Sequence, residues 1–306
     1  MNEELRVRLE EYLSNSGKSQ TILARAVGIS PAALNQYLSG KYPSPSNIEP
    51  KIEEFFSLQE KTATVARALD YIDTSISSEV YKTIAYCHIN RCIGAVIGDA
   101  GIGKTKGAQK YAGDYSEAIY ITATRACKNL KDMYRMIVKK LRLNENRNIF
   151  DMQYDIRGRL DGSSKVLIID EAQHLSLTAI DGIRSFNDEN YETALPPVGI
   201  VMVGNHELRT KMVGRYEQTL AQLFNRIQIQ RQMFTSQILI DDIKKLFPVL
   251  VEQRAENEIK FLHDIATSRW GVRGAVKVFL NSANNGDVSC VGLTAMAKYM
   301  GIGIYA

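Results

Sequence analysis

Eight consecutive residues, Gly98-Asp-Ala-Gly-Ile-Gly-Lys104-Thr105, fit the pattern G-x-x-x-x-G-K-[ST] at every fixed position. Glycines at this spacing allow successive backbone N–H groups to turn inward around phosphates. The lysine reaches the β- and γ-phosphates of a nucleotide, and the hydroxyl that follows it ligates Mg²⁺. The sequence therefore predicts a nucleotide site built from Gly98, Asp99, Ala100, Gly101, Ile102, Gly103, Lys104, Thr105 and Lys106.

Two acidic residues, Asp170 and Glu171, directly follow a second apolar run, Val166–Ile169. In a nucleotide-hydrolysing fold the first acid holds Mg²⁺, partly through water, and the second polarises the attacking water as general base. The alternative is a buried strand that ends in two exposed acids. The phosphate-binding motif earlier in the chain favours the catalytic interpretation, with Thr105 and Asp170 as the metal ligands.

A third apolar run, Val198–Val203, ends in Gly204-Asn205-His206. We expect the Asn205 side chain to lie between the acidic strand ends and the γ-phosphate, where an amide orients the attacking water. His206 has two interpretations, a polar group of the site or an ordinary surface histidine, and the second is favoured.

Strands alternate with helices from Cys92 to about Gln230, which is typical of an α/β fold with a parallel sheet. The apolar run before the glycines is a predicted buried strand, and Lys104–Tyr111 is the helix whose N-terminus faces the phosphates. Five strands are predicted: Ile93–Ile97, Ala118–Ile121, Val166–Ile169, Val198–Val203 and Arg226–Ile229. The stretch from Thr62 to Asn90 is helical in pattern, and so is the C-terminal region, at Gln237–Leu246, Ala255–Thr267, Val272–Asn284 and Val288–Met300.

The first 60 residues or so have the pattern of a small helical unit. Ser19–Val27 is amphipathic, Gly28 supplies a turn, and Ser30-Pro31 begins a second helix that ends at Leu38. This is the signature of a helix-turn-helix, and three basic and no acidic residues lie between Lys18 and Lys41. The alternative is a three-helix interaction domain without a DNA role. If DNA is bound, the second helix offers these side chains to a groove: Ala32, Asn35, Gln36 and Tyr37.

Composition limits the protein class without fixing its function. The 306 residues carry a net charge of +4, which permits a nucleic-acid partner without requiring one. The four cysteines show no C-x-x-C spacing, which indicates free thiols in a reducing compartment. The N-terminus carries no apolar signal segment, and no apolar run is long enough for a membrane span. We therefore expect a cytoplasmic protein without a membrane partner.

These motifs together resemble AAA+ ATPases, and more narrowly the phage Mu B family of transposition target-selection proteins. The resemblance rests on the phosphate loop and on Ile168-Ile-Asp-Glu-Ala-Gln-His-Leu175, Met202-Val-Gly-Asn-His-Glu-Leu208 and Leu223-Phe-Asn-Arg-Ile227. It covers nearly the whole chain and is strongest from Ile93 to Ile229. It implies a small all-α helix-turn-helix DNA-binding domain (1–60), a P-loop AAA+ core with a parallel five-stranded sheet (61–235) and a C-terminal helical lid (236–306).

The resemblance also implies site roles. The ligands would be ATP and Mg²⁺, and Arg226 would be an arginine finger that completes the active site of a neighbouring subunit. Arg215 is the weaker candidate for that role. In the lid, alignment on Gly274-Ala-Val places Lys277 where the family has its γ-phosphate-sensing arginine, and Arg273 is the competing choice.

The function implied by the resemblance is ATP-dependent binding of duplex DNA without sequence preference. The protein would form a homo-oligomeric filament or ring on DNA, deliver the target DNA and stimulate a transposase. Phosphate contacts are expected near strand ends, from Thr124, Arg125, Lys128, Arg157 and Arg159; the alternative is an ordinary solvated charged face. Rival functions are a helicase loader or replication initiator and a nucleotide-switched helix-turn-helix regulator.

Overall fold

The computed structural model describes residues 2–17, 19–57, 71–126, 129–190, 193–213 and 226–303. The chain divides into two compact units, Met1–Asp70 and Tyr71–Ala306. Among the described residues, no helix has the length and apolar character needed to cross a membrane.

The first unit is built of short helices with local caps. Its helices are α1 (Glu3–Ser16), α2 (Gln20–Val27), α3 (Pro31–Leu38) and α4, described over 49–57. Side chains of Asn2, Ser19 and Ser30 accept from the first free N–H groups of α1, α2 and α3, which fixes where each helix begins. Gly28 has a φ of +76° and ends α2, so the predicted turn and second helix are confirmed.

The core of this unit explains why α2 and α3 keep their arrangement. Buried apolar side chains come from all four helices, with Leu9, Leu34 and Ile52 fully enclosed. Tyr37 is also fully buried, and its hydroxyl donates to Asn2 O (3.2 Å) and Glu49 Oε1 (3.0 Å). Burial raises the pKa of Tyr37, and the Glu49 carboxylate adds to that shift.

The second unit is organised around a five-stranded parallel sheet. Its strands are β1 (Ile93–Gly98), β2 (Ala118–Thr122), β3 (Val166–Asp170), β4 (Gly199–Gly204) and β5 (Ile227–Met233). Their spatial order is β2-β3-β4-β1-β5, and every pairing is parallel. The carboxyl ends of all strands therefore share one edge of the sheet, called here the carboxyl edge, and their first residues share the amino edge.

Helices cover both faces of this sheet. Successive strand side chains point to opposite faces, and in β1, β3 and β4 both sets are almost entirely apolar, as a sheet buried on two sides requires. The edge strand β5 also carries Gln and Arg side chains. One face packs against α7 (Leu130–Lys140), α8 (Ile149–Leu160), α9 (Leu177–Arg184) and α10 (His206–Val213). The other packs against α5 (Ser75–Asn90), α6 (Lys104–Asp114) and the C-terminal helices. The predicted α/β class is confirmed.

One predicted helix begins later than the sequence pattern indicated. The run from Thr62 is not helical at Tyr71–Thr74, and residues 62–70 lie outside the described part. Thr74 caps α5: its side chain accepts from Ser77 N, while the Ser77 hydroxyl accepts from Thr74 N at 2.9 Å. This reciprocal cap fixes Ser75 as the first residue of α5, because Thr74 must adopt an extended conformation to make it.

The C-terminal helices are α11 (Ile240–Leu246), α12 (Pro248–Glu252), α13 (Glu256–Thr267), α14 (Gly271–Asn284) and α15 (Cys290–Tyr299). A buried carboxylate, Asp242, ties them to the start of α5. It accepts from Ser75 N (2.7 Å), Ser75 Oγ (2.5 Å) and Leu239 N (3.1 Å) while only 2% exposed. The C-terminal helices are therefore joined to α5, the helix that leads into β1.

Replacing Asp242 by Ala leaves three donors without their acceptor. We expect the free energy of unfolding of the second unit to fall by about 2–3 kcal/mol. Urea unfolding followed by fluorescence of Trp270, the single tryptophan, measures it. The control Asp241→Ala removes a carboxylate that is 73% exposed, and its effect should stay within about 0.5 kcal/mol. Equal effects of the two changes would contradict the proposed anchor.

Candidate functional site

The phosphate loop lies between the end of β1 and the start of α6. Gly101 and Gly103 have φ values of +76° and +105°, a region that other residues adopt only with strain. Gly103 is the N-cap of α6 and makes no side-chain cap, so the first N–H groups of the helix have no capping side chain. A loop of this shape followed by an uncapped helix N-terminus fits the phosphates of a nucleotide.

Lys104 carries the positive charge of this loop. Its Nζ donates to Gly98 O (2.9 Å) and Asp99 O (2.6 Å), so the ammonium must exchange these carbonyls for phosphate oxygens when a nucleotide binds. Burial lowers the pKa of Lys104, and the nearby carboxylates of Glu171, Asp170 and Asp99 oppose that shift. The predicted lysine and the predicted acids therefore share one electrostatic environment.

Asp170 ends β3 and is only 2% exposed. Its Oδ2 accepts from the hydroxyl of Tyr120 at 2.7 Å, and its Oδ1 accepts from Glu171 N at 2.9 Å. Tyr120 comes from β2 and was not among the predicted site residues. Burial raises the pKa of Tyr120, and the Asp170 carboxylate adds to it, so the phenol stays a hydrogen-bond donor. This contact fixes the Asp170 carboxylate beside the phosphate loop.

His206 contacts the phosphate loop while 43% of its side chain is exposed, so it combines features of both interpretations. Its Nε2 lies 2.9 Å from Asp99 Oδ1, and its ring stacks on Phe234 with centroids 5.5 Å apart. Asp99 Oδ2 accepts from Thr235 N at 2.7 Å. Burial would raise the pKa of Asp99, but the hydrogen bonds from Thr235 and His206 outweigh it and hold the pKa below its usual value. Asp99 thus joins the loop to the residues that follow β4 and β5.

Asn205 lies at the carboxyl edge, between β4 and α10. Its Oδ1 accepts from Glu207 N at 2.9 Å and so caps α10. An amide whose oxygen is used in this way retains its two Nδ2 donors. Asn205 lies at the same edge of the sheet as the acidic end of β3, as predicted, but its Oδ1 is used to cap α10.

The C-terminal helices contact the phosphate loop through the first turn of α14. Arg273 N donates to Gly101 O at 3.0 Å, and the Arg273 charge further lowers the pKa of Lys104. Lys277 follows one turn later, about 6 Å further along the helix axis. Of the two candidate γ-phosphate sensors, the structure therefore brings Arg273 to the loop.

Arg226 lies at the amino edge, away from its own phosphate loop. It directly precedes β5, and Ile227 pairs with Ile93, the first residue of β1. The loop begins after Gly98, about 17 Å further along the strand direction at 3.3 Å per residue. The side chain is 46% exposed, and its guanidinium contacts the Asp188 carboxylate. Arg226 therefore does not serve the site of its own chain.

The predicted DNA contacts fall at opposite edges of the sheet. Thr124 and Arg125 are exposed and follow β2 at the carboxyl edge. Arg157 and Arg159 lie in the last turn of α8, which leads to the first residue of β3, so they belong to the amino edge. Only Arg159 is exposed, because Arg157 donates to Ser185 O and pairs with Asp161 at 3.5 Å. Two predicted residues, Lys128 and Arg215, lie outside the described residues.

The predicted DNA-reading helix, α3, needs one correction. Ala32, Asn35 and Gln36 are exposed, so they remain predictions for a groove contact. Tyr37 is fully buried and bonded to Asn2 and Glu49, so its expected contact with DNA was wrong. Helical spacing points Tyr37 to the opposite side from Asn35.

Comparison with known proteins agrees with this geometry. Residues 89–212 match the family model described as an AAA domain. The chain is 30% identical over 213 residues to the Mu-like prophage FluMu DNA transposition protein B of Haemophilus influenzae, covering 68% of this chain and 71% of that protein. It is 21% identical over 273 residues to the ATP-dependent target DNA activator B of Escherichia phage Mu, covering 88% and 85%.

Solved structures show the same fold. Cdc6p from Pyrobaculum aerophilum superposes with a TM-score of 0.58 at 16% identity, covering 78% of this chain and 71% of that one. The ORC2 protein of Aeropyrum pernix, solved as ADPNP-ADP complexes, gives a TM-score of 0.53 at 15% identity, covering 75% and 70%. At these identities the likeness concerns the fold alone and confirms the predicted α/β architecture, while the AAA assignment comes from the family model.

A pair of lid variants separates the two sensor candidates. Arg273→Ala removes a charge at the loop and should lower ATP turnover about 10- to 100-fold, as loss of one phosphate-stabilising group does. Lys277→Ala, one turn away, is the matched control and should change turnover less than about threefold. Steady-state phosphate release measures both, and a larger loss in Lys277→Ala would contradict the assignment.

Proposed function

This chain belongs to the Mu B family of AAA+ transposition ATPases, and on that premise we propose that it couples ATP to assembly on target DNA. The nucleotide would hold copies of the chain together along duplex DNA without sequence preference. The assembly would present the target to a transposase and stimulate it. Hydrolysis would then release or remodel the assembly.

The observation that carries this proposal is the separation of two parts of the active site. Lys104, Asp170 and Glu171 converge at the carboxyl edge, where they share one electrostatic environment. Arg226 lies beyond the other end of the sheet. Arg226 can therefore stabilise charge on a transferred phosphoryl group only at the site of a second copy, where it would add to the Lys104 and Arg273 charges of that copy.

The residues present fit ATP and Mg²⁺. Lys104 and the N–H groups that begin α6 would bind the phosphates, and the Thr105 hydroxyl and the Asp170 carboxylate would hold Mg²⁺. The bound metal neutralises charge on the phosphate oxygens. Glu171 would accept a proton from the attacking water, while Asn205 orients that water and Arg273 contacts the γ-phosphate. Arg226 of a neighbouring copy would complete the charge stabilisation.

The DNA part of the proposal rests on the relatives' names and on exposed polar residues. Two of the relatives are named ATP-dependent target DNA activator B. Thr124 and Arg125 at the carboxyl edge, Arg159 at the amino edge and Asn35 with Gln36 on α3 are exposed. Contacts to phosphates supply affinity without sequence preference and weaken with salt. The proposed partners are duplex DNA, a transposase and further copies of the chain.

Glu171→Gln tests the general base together with the assembly. The amide keeps the size of the side chain but cannot accept the proton, so turnover should fall at least about 100-fold. Nucleotide binding should persist, and complexes with random duplex DNA should become long-lived in ATP. Filter binding and phosphate release measure these effects, with Glu207→Gln, an exposed glutamate beside the site, as control. Normal turnover in Glu171→Gln would remove Glu171 from this role.

Mixing two inactive variants tests the arginine in trans. Lys104→Ala should lose nucleotide binding, and Arg226→Ala should bind ATP yet fail to support hydrolysis in its neighbour. In a mixture, an interface with an intact loop on one side and an intact arginine on the other restores part of the turnover. Arg209→Ala, an exposed arginine on α10, is the control and should stay active alone. Absence of rescue at every ratio would exclude a finger at Arg226.

A further inference from the structure

Gln173 is one of the few buried polar side chains in the described part of the chain, with 5% of its surface exposed. It lies in the short 3₁₀ turn Ala172–His174 that follows the acidic pair. Both ends of its amide are bonded: Nε2 donates to Glu171 Oε2, and Oε1 accepts from Asn205 N at 3.3 Å. Burying an amide is favourable only when its polar atoms have partners, so these two contacts fix its orientation.

We propose that Gln173 is a positioning residue that holds the Glu171 carboxylate in place for hydrolysis and ties that placement to the junction of β4 and α10. The inference rests on the proposed function, because it takes Glu171 as the general base. Gln173 directly contacts both Glu171, the predicted general base, and Asn205, which is predicted to orient the attacking water.

Glu171 needs such support because its own environment leaves it loosely held. Its backbone is in the left-handed region at φ 56°, an uncommon conformation for a residue with a side chain. Its side chain is 44% exposed, and its Oε2 lies 3.9 Å from His174 Nε2, beyond hydrogen-bond distance. The hydrogen bond from the buried, oriented amide of Gln173 is the closer restraint on this carboxylate.

The junction of β4 and α10 is built around Gln173. A Cβ on Gly204 would come within 2.8 Å of Gln173 Oε1, so only glycine leaves room for the amide. The Lys211 ammonium of α10 donates to the backbone carbonyls of Gln173 and, at 2.9 Å, of Leu175. The hydrogen bond from Asn205 N and the two from Lys211 therefore join the turn that carries Gln173 to both the start and the last turn of α10.

The same junction reaches the phosphate loop through the neighbouring residue. His206 contacts Asp99 at 2.9 Å, and Asp99 O is one of the two carbonyls that Lys104 must release to reach a phosphate. Gln173 thus lies two residues from a direct contact with the phosphate loop, since it bonds Asn205 N and the next residue, His206, contacts Asp99.

Two substitutions of similar size test the proposal. Gln173→Met removes the amide, and Gln173→Glu keeps an acceptor for Asn205 N but replaces the donor with a like charge facing Glu171. We expect kcat for ATP to fall about 10- to 100-fold in both, as a misplaced catalytic group predicts. The dissociation constant of a fluorescent ATP analogue should stay within about twofold, because the loop is unchanged.

Gln153→Met is the matched control. Gln153 lies on α8, and its amide makes one long contact, to Ser185 Oγ at 3.5 Å. Wild-type kcat in Gln173→Glu would overturn the inference, and so would a parallel loss of nucleotide affinity in both variants, which indicates a purely structural role. Glu171→Gln is measured alongside. Wild-type turnover there would refute the general base itself, whereas an inactive Glu171→Gln beside a fully active Gln173→Glu would refute only the positioning role.

Discussion

The parallel direction of all five strands is the constraint from which the rest of the second unit follows. It places the ends of β1, β3 and β4 side by side, although the residues that follow them are far apart in sequence. The loop after β1 supplies a buried ammonium, the end of β3 supplies two carboxylates, and the end of β4 supplies an amide and an imidazole. A buried lysine with a lowered pKa beside three carboxylates marks a candidate functional site.

The same constraint puts Arg226 where its own chain cannot use it. Strands that share a direction also share an amino edge, and Arg226 lies at that edge beside Asp188. An isolated chain therefore carries the phosphate loop and the base at one end of the sheet and the arginine at the other. In the proposed function a second copy supplies the arginine, which would make nucleotide hydrolysis and assembly two aspects of one interface.

Sequence predicted the parts of this site that follow from local pattern. The phosphate loop, the β3 acids and most helix ends depend on neighbouring residues, and the structure places them as expected, except that the helix predicted from Thr62 is interrupted at Tyr71–Thr74. The contacts of Tyr120, Gln173 and His206 were missed, because each pairs with a residue brought close only by the sheet. Tyr37 was wrong as a DNA contact for the same reason, since residue type does not show that the side chain is bonded inside the fold. Arg157 is likewise bonded to Ser185 O and paired with Asp161, and its DNA contact stays a prediction. The sequence alone left Arg273 and Lys277 as alternative γ-phosphate sensors, because it does not show which turn of α14 contacts the phosphate loop.

In the proposed function, one chain holds an incomplete active site. Steady-state ATP turnover per chain is measured against protein concentration and paired with sedimentation velocity. We expect negligible turnover where the chain sediments as a monomer and a steep rise as ATP and random duplex DNA drive assembly. Turnover per chain that is constant across both states would contradict it.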